Sequence, residues 1–162
     1  GIKRIISNIE SQNKDKKRKE RDKLIFKLLY YTGSKTKEIT HIKRHNINTK
    51  SITINEKQII LPSSLLQDIK KYADLIDAEE NEYIFCNFSP AFKYRQSPPL
   101  TEKAVEELFN KYKNDQYLTI RDIRHSYILD LQKDIPDIHS PSLWKEIKLN
   151  QDYLNYNDHN LV

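Results

Sequence analysis

Apolar residues recur along most of this chain at helical spacing. Ile2, Ile5, Ile6 and Ile9 share one face of a helix predicted over residues 2–10. A polar, charged connection follows from Ser11 to Glu20. The next helix runs from Arg21 to Tyr31, with Leu24, Ile25, Leu28 and Leu29 as a buried stripe, and Gly33 ends it as a left-handed cap. Thr36 to His41 starts a short third helix. Two β-rich runs come next, Ser51-Ile52-Thr53-Ile54 and Gln58-Ile59-Ile60-Leu61. Joined by Asn55-Glu56-Lys57, they read as a hairpin with a polar tip. Pro62 opens a helix capped by Ser63 or Ser64 and running to about Ile76. Tyr83 to Phe88 reads as a short strand, and Ser89 to Pro99 as a loop. Helices are predicted over Thr101–Tyr112 and Thr119–Lys133, then from Ser140-Pro141 to near Leu149, with a short tail helix holding Tyr153 and Tyr156. The predicted fold is mainly α with a small antiparallel β-sheet.

Composition narrows the class without deciding it. The 162 residues suffice for one domain with a sizeable core. The 28 Lys+Arg against 23 Asp+Glu give a formal net charge of +5, which suits a polyanionic partner. A solvated, lysine-rich surface in an Ile-, Lys- and Asn-rich chain reads the same way. The lone Cys86 cannot form an internal disulfide, and no Cys/His cluster has zinc spacing. No apolar run reaches membrane-spanning length and no signal peptide is visible. A reducing, soluble compartment is the expectation.

Four segments, in order, carry a more specific signal. Leu118-Thr119-Ile120-Arg121-Asp122-Ile123-Arg124-His125-Ser126-Tyr127 resembles the signature box of the tyrosine recombinases, the phage-integrase superfamily. Leu28 to Ile39 resembles that family's first box, with its Thr32-Gly33 turn, a basic residue at Lys35 and an acid at Glu38. The hairpin resembles the element that carries the family's catalytic lysine on its turn, which maps onto Lys57. The run Ile59-Ile60-Leu61-Pro62 matches the exit from that hairpin. Arg124 lies 32 residues before Tyr156, close to the family's spacing to its nucleophile.

The resemblance implies a catalytic domain that cuts and rejoins duplex DNA without a cofactor, a metal or a small-molecule substrate. It would act as an integrase or a resolving recombinase, as a homo-tetramer on paired sites. Its place would be the cytoplasm beside the nucleoid, or wherever the DNA of a mobile element resides. The family usually carries a separate N-terminal DNA-clamping domain, and this chain is expected to be the catalytic domain alone. A tyrosine hydroxyl would attack the phosphodiester, leaving a 3′-phosphotyrosine and a 5′-hydroxyl. Arg124, Arg121 and Lys35 would stabilise the charged phosphorus. An arginine suits this because its planar fork makes two parallel bonds to phosphate oxygens, and one positioned donor can be worth about 3–4 kcal/mol in the barrier. Lys57 would protonate the leaving 5′-oxygen. Lys93 and Arg95 would grip backbone phosphates.

Each of these residues also has a plainer reading. Arg124 fits a helix-start arginine paired with Asp122 or Glu38. Arg121, Lys57, Lys93 and Arg95 fit solvated surface cations. His125 fits a core histidine that orients the helix as well as a catalytic one, and Glu38 fits a brace for a cation better than a base. Lys35 stands where the family has arginine, and lysine lacks the fork. The family also places His or Trp nine residues before its tyrosine. Trp144 meets that rule for Tyr153, while the count from Arg124 favours Tyr156, which has Ile147 nine residues before it. Packing with Leu143 and Ile147 is the plainer role for Trp144. Tyr156 is the first choice of nucleophile and Tyr153 the second. Two rivals stand beside the enzyme: a degenerate homologue that binds DNA without cutting, and an unrelated basic helical interaction module.

Overall fold

The computed structural model describes residues 1–88 and 97–134. Their regular structure is six α-helices, one short 3₁₀ helix at Arg44–Asn46 and a two-stranded antiparallel sheet, mainly α as the sequence pattern predicts. The loop carrying Lys93 and Arg95, the helix predicted from Ser140 and the tail with Trp144, Tyr153 and Tyr156 lie outside the described residues.

Helix α1 spans Ile2–Gln12 and buries Ile5 and Ile9, with Ile2 and Ile6 at the margin of the core. Helix α2 spans Lys16–Thr32. The connection is therefore only Asn13 to Asp15, much shorter than the polar stretch read from the sequence. Asp15 caps α2 by accepting the Arg18 N–H at 3.2 Å, which satisfies one orphan donor. Lysine and arginine are good helix formers, so polarity alone did not mark a loop. Glu10 ties the two helices through Lys19 at 3.6 Å and Lys23 at 2.8 Å.

Helix α2 is the spine of the molecule. Leu24, Ile25, Phe26, Leu28 and Leu29 are all buried, which is the pattern of a helix covered on most sides. Helix α1 packs on it, as do α3 (Thr36–Thr40), α4 (Ser63–Leu75) and α6 (Ile120–Asp134). From α5 (Glu102–Tyr112), Phe109 meets Phe26 at 6.1 Å between ring centroids. Buried Ile39, Ile52, Ile59, Leu65, Ile69 and Ile123 complete one contiguous core. Gly33 closes α2 in the left-handed conformation, φ 67° and ψ 7°, with its N–H on the Leu29 carbonyl.

The hairpin pairs β1 (Ser51–Ile54) with β2 (Lys57–Ile60). Only Asn55 and Glu56 form the turn, both at positive φ (51° and 65°). Two such residues give the primed turn that matches strand twist. Lys57 is thus the first residue of β2, opposite Ile54, and does not sit at the tip. Pro62, not Ser63 or Ser64, precedes α4 as its cap residue, without a side-chain capping bond. Nor is Tyr83–Phe88 a strand. It makes single bridges at Tyr83 to Lys43 and at Cys86 to Pro99. Side chains take two of its carbonyls: Tyr72 Oη donates to Ile84 at 2.5 Å and Arg21 Nη1 to Cys86 at 3.0 Å.

Candidate active site

The first turn of α6 is set by a reciprocal cap. Thr119 Oγ1 accepts the Asp122 N–H at 3.2 Å, and Asp122 Oδ2 accepts the Thr119 N–H at 2.8 Å. These bonds from Thr119, helped by His125 and Arg121, hold the Asp122 carboxyl below the usual carboxylate range. Asp122 is thereby committed to the cap, and it makes no ion pair with Arg124. Arg124 is half-buried and donates through Nε to the Gly33 carbonyl at 3.1 Å. Among the described residues neither of its terminal nitrogens has a hydrogen-bond partner. The fork is anchored at its base and left open at its tip.

An aromatic cluster holds this joint. Tyr127 lies one turn beyond Arg124 and packs edge-on against Tyr30 at 5.5 Å and tilted against Tyr31 at 5.3 Å. Both partners belong to the last two turns of α2, just before Gly33. Such pairs add about 0.5–1.5 kcal/mol beyond burial, so the start of α6 is fixed against the end of α2. Burial and the neighbouring Tyr31 push the Tyr127 hydroxyl pKa up.

Lys35 comes two residues after Gly33 and is exposed. Its backbone N–H donates to Glu38 Oε1 at 2.8 Å, and the other carboxylate oxygen accepts Asn55 Nδ2 at 2.6 Å. Glu38 therefore braces a backbone amide and the hairpin turn rather than a cation. In the pleat, Lys57 shares a face with Ile52, Ile54 and Ile59, three residues at 0–2% exposure. That face looks into the protein, and Lys57 is half-buried rather than a solvated tip lysine. Ser51, Thr53 and Gln58 line the opposite face, where Gln58 and Asn48 both donate to the Ser51 hydroxyl.

Contacts thus run from Arg124 to the Gly33 turn, to Lys35, Glu38, Asn55 and the strand of Lys57. Arg121 is exposed one turn before Arg124. His125 is exposed as well, so it is not a core histidine. Tyr156, Tyr153, Trp144, Lys93 and Arg95 fall outside the described residues.

Two features escaped the sequence reading. One is Asn55, whose role at a left-handed turn position was hidden by counting the loop as three residues. The other is a buried network: Arg21 Nε donates to Asp22 Oδ1 at 2.8 Å, while Tyr112 Oη and Asn13 Nδ2 approach Asp22 Oδ2 at 3.4 and 3.5 Å. Arg21 also lies over the Phe88 ring at 5.3 Å. An Arg-Asp dipeptide inside a charged run gives no sign that it is buried. The described residues contain no cluster of His, Cys, Asp or Glu able to hold a metal ion.

The sequence profile of the Phage integrase family matches residues 1–159. The chain belongs to that family. Its family relatives include Tyrosine recombinase XerA of Thermococcus onnurineus, 28% identical over 74% of this chain and 44% of that protein. Another is a Tyrosine recombinase of Agathobacter rectalis, 28% identical over 78% and 44%. The chain spans less than half the length of these curated relatives. Among solved structures, the XerA recombinase superposes with a TM-score of 0.62 at 18% identity, covering 98% of this chain and 54% of that one. XerH bound to difH in a pre-cleavage complex gives 0.59 at 17%, covering 98% and 45%. The fold is that of tyrosine-recombinase catalytic domains. Family membership sets aside the unrelated helical module. No helix among the described residues is long and apolar enough to cross a membrane.

Proposed function

We propose that this integrase-family domain cuts and rejoins duplex DNA by way of a tyrosine–phosphate link, acting as a tetramer on paired sites. The observation that carries the reading is Arg124, anchored through Nε on the Gly33 carbonyl with no partner for its terminal nitrogens among the described residues. A guanidinium held this way presents two parallel donors to the non-bridging oxygens of one phosphate. Lys35 and Arg121 add positive charge around the same turn, and Lys57 is the proton donor. The solved XerH site-specific recombinase bound to its difH substrate supports a recombination site as the partner of this fold.

In the cleavage step the tyrosine hydroxyl gives its proton to solvent as its oxygen bonds to phosphorus, the bond from phosphorus to the 5′-oxygen breaks, and the Lys57 ammonium passes its proton to that oxygen. The tyrosine hydroxyl, with an unperturbed pKa near 10, needs cationic surroundings to become a nucleophile. Attack by a second 5′-hydroxyl reverses the bonds and restores the tyrosine. The link conserves the bond energy throughout.

A pool of nicked duplexes with a randomised central segment tests this. Cleavage near the nick releases a short strand and traps the protein on DNA. The expected result is a covalent adduct that survives denaturant, is enriched in one sequence family and is destroyed by protease. Binding without any adduct would leave only the degenerate homologue.

A further inference from the structure

Resting on the strand-transfer reading above, we infer that Asn55 is a positioning residue that acts through Glu38 to fix where the hairpin holds Lys57. The Glu38 carboxylate has both oxygens engaged, one by the Lys35 N–H at 2.8 Å and one by Asn55 Nδ2 at 2.6 Å. It therefore joins the turn of the first box to the tip of the hairpin. Beside this bond lies an open cleft of about 380 Å³, lined by Lys37, His41, Ile54 and Glu56 among others. Glu38 and Asn55 both line this cleft, and a charge-assisted bond joins them.

The hairpin needs such a bond. It has two strands of four residues each, and isolated two-stranded hairpins are marginal in water. Ile52 and Ile59, at 0% and 1% exposure, pin its middle in the core. Lys57 lies between that anchor and the turn. Swinging the tip about the Ile52–Ile59 pair moves Lys57 with it, and a misplacement near 1 Å in a reacting group can cost about 100-fold in rate.

Backbone demand does not explain the asparagine. At φ 51° either asparagine or glycine satisfies the turn. Among the described residues only Glu38 takes a hydrogen bond from the amide. Asn55→Gly therefore keeps the turn and deletes the bond, without the strain that alanine would add.

The test uses the full chain and the captured duplex in two forms. One has the ordinary scissile oxygen, and the other has sulfur as the bridging 5′ atom. In the first, the bond to oxygen breaks and Lys57 must supply a proton. In the second, the bond to sulfur breaks and a thiolate leaves unprotonated, since thiols ionise near pH 8.5. Asn55→Gly should slow adduct formation about 10-fold on oxygen and less than about 2-fold on sulfur, as a defect in proton delivery requires. Asn55→Asp, which sets two carboxylates against each other, should lose at least as much on oxygen. Unchanged rates on oxygen, or equal losses on both substrates, would overturn the role of Asn55. A parent chain that forms no adduct with either duplex overturns the strand-transfer reading, and this inference with it.

Discussion

Arg124 reaches back 91 residues to place its Nε on the Gly33 carbonyl at 3.1 Å. The acceptor is exposed for this purpose by the left-handed turn at Gly33, which ends α2 and points the chain toward Lys35. A helix start and a helix end far apart in sequence thus share one hydrogen bond, and the guanidinium is oriented by the fold itself.

This arrangement predicts what Arg124→Lys does. Lysine keeps the charge, but one ammonium cannot both hold Gly33 and grip a phosphate with two parallel bonds. Adduct formation should fall about 10²- to 10³-fold, the usual loss for a positioned transition-state donor. DNA affinity at fixed salt should change by only a few-fold, because lysine keeps the positive charge that neutralises a phosphate. A variant that cleaves at the parent rate would show that the fork takes no part in the chemistry.

Helix stripes were the legible part of the sequence. Leu24, Ile25, Leu28 and Leu29 are buried as their spacing required, and Gly33 has the left-handed conformation expected of it. The errors have specific causes. Asp15 was lost inside a lysine-rich run whose residues favour helix as readily as loop. The hairpin turn was read one residue too long, because Asn55-Glu56 lacks the glycine that usually marks a primed turn. Tyr83 to Phe88 has the composition of a strand, yet Tyr72 and Arg21 take its carbonyls, and these are contacts no local pattern reveals. At the candidate site, the family's boxes single out Arg124, Lys35 and Lys57, whereas the bond between Glu38 and Asn55 depends on tertiary geometry.

The buried pair of Arg21 and Asp22 is a structural liability that can be measured. The two residues are 5% and 1% exposed. Arg21→Met removes the counter-charge and leaves the Asp22 carboxylate buried without it, a loss of about 3–5 kcal/mol. Replacing both partners with apolar side chains, Arg21→Met together with Asp22→Leu, should cost much less. Urea unfolding of the two variants separates these outcomes. Burial pushes the Asp22 carboxyl pKa up, with Arg21 pulling it back. The folded state then binds a proton more tightly than the unfolded one. The contribution of Asp22 to stability should therefore decline as pH rises from the ordinary carboxylate range through the raised folded value. The pH slope of the parent minus that of Asp22→Asn reports it, and a difference of opposite sign would mean that Arg21 outweighs burial.

Two tyrosines compete for the nucleophile's place. Tyr156 fits the count from Arg124, and Tyr153 fits the position of Trp144 nine residues before it. Tyr156→Phe should abolish the covalent adduct and leave DNA binding nearly intact, since only the attacking hydroxyl is lost. Tyr153→Phe should leave the adduct in place. If the phenotypes are exchanged, the nucleophile is Tyr153 and Trp144 is the residue that sets it. Mass spectrometry of the digested adduct identifies the modified tyrosine independently.

Lys35 offers the most demanding test, because the prediction is a gain. It stands two residues beyond Gly33, the residue whose carbonyl holds Arg124, and its side chain is exposed while its backbone is fixed by Glu38. From there an ammonium gives one directed bond to a phosphate oxygen where a guanidinium gives two. The missing charge-assisted bond is worth roughly 1.5–3 kcal/mol. Expressed only in the transition state, that is about 10- to 150-fold in rate. Lys35→Arg should therefore speed adduct formation by a factor in that range. Binding of the intact duplex should change little, since total charge is unaltered. The side-chain exchange leaves the bond between the Lys35 N–H and Glu38 untouched, so thermal stability should stay constant and any rate change can be assigned to the phosphate. A rate that stays level or drops would mean that the surroundings of Lys35 are matched to an ammonium, or that its side chain does not reach the scissile phosphate.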